Sequence, residues 1–122
     1  MNRMPQEPND IFAGIEITPQ EVKQQLDAGK NIFFIDVREP WENQAAAIKG
    51  AKLIPLGDVP NNLAAFEAAD DDNDGIIIFC HRGQRSLDAA AWLRTHGVVS
   101  AKSMSGGIAR WSSEIDPSVP HY

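Results

Sequence analysis

Among 122 residues there is one cysteine, Cys80. That scarcity excludes an internal disulfide and a structural zinc site built from several thiolates. It leaves two readings of Cys80, an inert core thiol or a reactive one. The chain also lacks any excess of basic residues: 11 Lys and Arg stand against 17 Asp and Glu, for a net charge of −6. Nucleic acids and anionic membranes are met by basic surfaces that displace counterions, so neither is an expected partner, and any anion site must be made locally. No apolar run approaches the length that spans a bilayer, and the polar, proline-bearing start from Met1 to Asp10 has no signal-like apolar stretch. A cytoplasmic location is the expectation. His81, His96 and His121 show no metal-ligand spacing, so no metal is expected, and His96 and His121 read as surface residues.

What is present reads as one soluble domain. Hydrophobic residues make up 43% and charged residues 23%, near the average for a folded globular chain of this size. Thr18-Pro19-Gln20-Glu21 has the order of a helix start: a capping hydroxyl, proline at the first position and a glutamate that reaches back. Gly29 closes that helix at about Ala28. Asn31 to Val37 contains the continuous apolar run Ile32 to Ile35, and Gly75 to Phe79 reads the same way, the pattern of strands buried on both faces of a parallel sheet. Ala51 to Leu56 and Val98 to Met104 are further candidate strands. Helices are expected over Asn61 to Ala69, with Leu63 and Phe66 inward, over Ser86 to His96, and after Gly106-Gly107. This alternation describes an α/β domain with a largely parallel sheet covered on both sides, and 116–122 reads as an extended tail.

In such sheets ligands bind beyond the carboxyl ends of the strands, and Cys80 falls at the end of the strongest one, just before a helix. The run from Cys80 to Arg85 can curl so that backbone N–H groups point at the sulfur, with the helix dipole adding positive potential. Such a cradle favours a thiolate. Gly83 supplies backbone freedom for the curl, and Arg82 and Arg85 place two cations beside it.

The stretch Cys80-His81-Arg82-Gly83-Gln84-Arg85-Ser86 resembles the active-site loop of the rhodanese family of sulfurtransferases. Asp36-Val37-Arg38-Glu39-Pro40-Trp41-Glu42 resembles the family's first marker, Ile48 to Leu56 its second, and Ser105 to Trp111 its last. The resemblance implies a rhodanese-like three-layer α/β fold, a five-stranded mainly parallel sheet flanked by helices. That domain would occupy 15–122 behind an N-terminal extension over 1–14. It also implies that Cys80 attacks the outer sulfur of a donor such as thiosulfate, holds it as a persulfide, and yields it to a thiol or cyanide acceptor. Cys80 would be the catalytic residue and His81, Arg82, Gly83, Gln84, Arg85 and Ser86 the substrate-binding set. Of these, Arg82 and Arg85 are the candidates to attract the donor anion, unless one merely braces the loop. Asp36 and Arg38 would pair behind them, with each other or with loop backbone. No metal or organic cofactor is required, and a protein sulfur acceptor is a further candidate partner. A persulfide carrier or sulfur-sensing module, docking on a partner with little turnover, is the alternative. Where the family commonly has Gly-His before an isoleucine and proline after it, this chain has Ala46, Ala47 and Lys49, from which altered local packing is expected.

Two competing patterns fail on spacing. A cysteine phosphatase or arsenate reductase loop resembles Cys-x5-Arg, but here that arginine position holds Ser86, and Arg85 sits one place early. Asp70 to Gly75 imitates the start of a calcium loop, yet His81 occupies the closing position and the run leads into a strand, so a solvated acidic turn is expected. Trp41, Trp92 and Trp111 are read as packing or rim residues.

Overall fold

A computed structural model describes residues 10–122. Five parallel strands form one sheet in the order β1-β5-β4-β2-β3: β1 Glu16–Ile17, β2 Ile32–Asp36, β3 Lys52–Leu53, β4 Gly75–Phe79 and β5 Ala101–Met104. β2 and β4 pair along their full length, from Ile32 opposite Gly75 to Asp36 opposite Phe79. That register brings the chain after Asp36 and the chain after Phe79 out at the same end of the sheet, side by side.

The helices are α1 Pro19–Asp27, α2 Pro40–Ala45, α3 Leu63–Asp72, α4 Gln84–Thr95 and α5 Gly107–Glu114. Alternation along β4 divides its side chains between two cores. Ile76 and Ile78 join Phe66 of α3 and Leu93 of α4 on one face, and Ile77 and Phe79 join Val22 of α1 and Trp111 of α5 on the other. Thr18 caps α1 as expected: its Oγ1 accepts from the Glu21 amide at 3.1 Å, and Glu21 accepts from the Thr18 amide at 3.0 Å.

Several boundaries differ from the sequence reading. Strand pairing after Ala51 is limited to Lys52–Leu53, and single-turn 3₁₀ segments at Leu56–Asp58 and Pro60–Asn62 delay α3 to Leu63. The acidic run is not a turn throughout, because its first three aspartates finish α3. Asp70 accepts from the Ser100 amide at 3.0 Å, and Asp74 accepts from the Asn31 amide at 2.6 Å, so both acids tie loops down. α4 starts at Gln84 instead of Ser86, because Gly83 takes the N-cap position with φ of 109°. The segment after α5 is not simply extended: Val119 is buried, the Ser112 hydroxyl donates to its carbonyl, and the chain returns toward the cysteine loop. Among the described residues no helix is long and apolar enough to cross a membrane.

Candidate functional site

β4 delivers Cys80 to the carboxyl end of the sheet, and the early start of α4 decides what its sulfur meets. The first amides of a helix have no intrahelical acceptor. Here the Gly83 amide donates to Cys80 Sγ at 3.1 Å and the Ser86 amide donates to it at 3.4 Å. The sulfur thus stands where an N-cap side-chain oxygen ordinarily accepts, and the helix N-terminus favours negative charge there. Behind it, Ser86 Oγ lies 3.5 Å from Sγ and 2.7 Å from Ser103 Oγ of β5. Cys80 is 1% exposed, so the thiol sits at the floor of the loop.

The loop is seated on α5. The Ile108 amide donates to the Cys80 carbonyl at 2.9 Å and the Ala109 amide to the His81 carbonyl at 3.0 Å. This close approach requires Gly107, whose φ is 61° and where a Cβ would overlap both of those carbonyls.

Arg85 is not a free cation. Its two terminal nitrogens grip both oxygens of Glu42, at 2.7 and 2.9 Å, in a paired geometry that fixes α4 to α2. Glu42 is itself placed by α2: Pro40 opens the helix and the Glu39 amide donates to Glu42 Oε1 at 3.0 Å. The Arg85 guanidinium, aided by the Glu39 amide and the Tyr122 hydroxyl, holds Glu42 down at about 2 despite its burial. The same pairing raises Arg85 above its ordinary value. Of the two readings of Arg85, this geometry matches the one in which it braces the loop.

Arg82 remains exposed and forms no ion pair among the described residues. It borders an open cleft of about 360 Å³ with Arg110, whose guanidinium is held by Glu114 at 3.0 Å. Gln84 is exposed and donates to Asp88 at 3.2 Å, away from the sulfur. His81 is half-buried, and burial first, then the charge of Arg82, lowers its pKa.

Asp36 and Arg38 pair with each other in full burial. Arg38 Nε donates to Asp36 Oδ1 at 2.9 Å and Nη2 to Oδ2 at 2.8 Å. Arg38 also donates to the carbonyls of Glu42, at 3.2 Å, and Ala46, at 2.6 Å. Ala46 is buried at this contact, whereas Ala47 and Lys49 are exposed.

Four residues of the site were not singled out from sequence: Glu42, Ser103, Gly107 and Tyr122. Glu42 and Gly107 lie inside two of the four marker stretches and carried a local signal. Ser103 is visible only once β5 is laid beside β4, and Tyr122 only once the tail has folded back. Trp41 is 65% exposed beside Tyr122, Trp92 is half-buried against His96, and Trp111 is core. Among the described residues no cluster of side chains has the makeup of a metal site.

Known proteins match this chain over most of its length. The sequence profile of the rhodanese-like domain matches residues 18–114. The adenylyltransferase and sulfurtransferase MOCS3-1 of Zea mays is 34% identical over 117 residues, which is 93% of this chain and 25% of that protein. YtwF of Bacillus subtilis, named for sulfurtransferase activity, is 30% identical over 102 residues, 84% of this chain and 94% of that one. The human single-domain sulfurtransferase TSTD1 shares the fold with a TM-score of 0.69 and 27% identity, over 82% of this chain and 96% of its own. The chain thus spans about a quarter of the length of the larger relatives and nearly all of the smaller ones.

Proposed function

The chain belongs to the rhodanese-like domain family of sulfurtransferases and sulfur carriers, and on that premise we propose that Cys80 turns over sulfane sulfur from thiosulfate. The observation that carries this reading is the pair of backbone amides, from Gly83 and Ser86, aimed at Cys80 Sγ. In the first half-reaction the thiolate attacks the outer sulfur of thiosulfate. A new S–S bond forms, the S–S bond of thiosulfate breaks, and sulfite leaves with its electron pair. In the second, a thiolate or cyanide acceptor attacks the outer sulfur of the persulfide, and the Cys80 thiolate is returned. Amides fixed before the reaction stabilise the anionic sulfur without reorganising during transfer. Arg82 is the cation that meets the incoming anion, while Arg85, committed to Glu42, braces the loop.

A carrier role for a partner protein is the second reading, supported by the quarter-length match to larger relatives. Intact mass before and after thiosulfate, followed by steady-state turnover with cyanide, tests both. Gain of one sulfur atom on the wild type, its absence in Cys80→Ser and repeated turnover are expected. Gain without turnover moves the function to the carrier, and no gain at all removes the sulfur-transfer reading.

A further inference from the structure

The segment following α5 ends in a residue that contacts three parts of the site. Ser112 of α5 anchors this segment by donating to the Val119 carbonyl, and Tyr122 then turns back over the loop. Its hydroxyl accepts from Arg38 Nη1 at 3.0 Å and donates to Glu42 Oε2 at 2.7 Å. Its ring stacks on His81, with centroids 4.3 Å apart and planes 23° from parallel. One side chain therefore touches His81, the residue next to Cys80, and Glu42, the residue that holds Arg85 in the first turn of α4. Those two connections bracket Gly83, whose amide donates to the sulfur, and the second adjoins Ser86, whose amide does the same; burial raises the pKa of the phenol.

We infer that Tyr122 is a positioning residue for sulfur transfer: it keeps the Cys80 loop closed on its sulfur by holding His81 with its ring and the Glu42–Arg85 pair with its hydroxyl. The inference rests on the sulfur-transfer reading for its activity arm only. The two contacts are separable by substitution. Tyr122→Phe keeps the ring on His81 and gives up the hydroxyl, whereas Tyr122→Ala gives up both.

A closed loop both presents the amides to the sulfur and covers it, so opening it has opposite effects on two reactions of the same atom. The test compares single-turnover sulfur loading from thiosulfate with alkylation by iodoacetamide, at a temperature well below unfolding. In Tyr122→Ala, loading is expected to fall about 10-fold, as misplacement of a catalytic constellation does. Alkylation of the thiol is expected to rise about fivefold as the loop opens locally. The thiosulfate KM should stay within about twofold because Arg82 is untouched. Tyr122→Phe should fall between the two proteins in both readouts. A residue that only adds stability would lower the melting temperature and move neither rate. A folded Tyr122→Ala with wild-type loading and alkylation would overturn the inference, as would loss of loading with no change in alkylation. Should the wild type take no sulfur from thiosulfate, the alkylation arm still reads the loop, and only the functional proposal fails.

Discussion

Cys80 and Gly107 are the residues at which single atoms decide the outcome. Cys80→Ser replaces a buried sulfur by an oxygen of similar shape that still accepts from the Gly83 and Ser86 amides. Sulfur transfer is expected to fall to background while the melting temperature shifts by no more than about 5 °C, a change of about 1 kcal/mol in a domain of this size. Calorimetry beside the thiosulfate–cyanide assay separates the two effects. Gly107→Ala is the converse case, in which the chemistry is untouched and the backbone is not. A Cβ there would drive into the carbonyls of Cys80 and His81 from a left-handed backbone, so either the α5 seat or the loop must move. A loss of more than about 2 kcal/mol is expected, with transfer activity falling alongside it; denaturant unfolding checks the first. Arg82→Ala should raise the thiosulfate KM and leave stability within about 0.5 kcal/mol, since the side chain is exposed and forms no ion pair among the described residues. A wild-type KM in that variant would move the donor site elsewhere.

At the scale of elements, α2 and α4 meet through one ion pair, and that pair gives the fold an acid limit. Glu42 is held at about 2, below its ordinary 4.5, chiefly by Arg85. A carboxylate lowered in the folded state stabilises it fully above the ordinary value, and that contribution is lost as pH falls toward the folded value. Stability should therefore drop between about pH 5 and pH 2, and Glu42→Gln should flatten that drop while costing about 1–3 kcal/mol at neutral pH. A drop of equal steepness in both proteins would assign it to other carboxylates. The same pair marks the boundary of what the sequence carried. β2, β4 and α1 were legible because their apolar runs and cap are local signals, written within a few residues. Arg85 and Glu42 are 43 positions apart, and nothing local distinguishes a paired arginine from a free one. β1, two residues long at the edge of the sheet, was implied only by the family resemblance. The start of α4 shifted because a left-handed glycine at the cap outweighs the propensities of the residues that follow.

For the whole molecule, the strand order places β4 between β5 and β2, with β1 and β3 as short outer strands. Opening the centre exposes two apolar cores at once, while opening an edge exposes little. Amide hydrogen exchange should then be slowest at Ile77 and Ile78, near the global unfolding free energy, and much faster at Lys52 and Leu53. Protection of β3 equal to that of β4 would mean that the sheet opens only as a unit. The cysteine loop hangs from this central strand, whose side chains enter both cores.

That lone thiol also has no companion for repair. Peroxide converts a thiolate to a sulfenic acid, which a nearby second cysteine would capture as a reversible disulfide. This chain has no second cysteine, so its sulfenic acid cannot be captured as an internal disulfide and is open to an outside thiol or to further oxidation to the sulfinic acid. Peroxide alone should inactivate the protein permanently, whereas the same dose with a small thiol present should be undone.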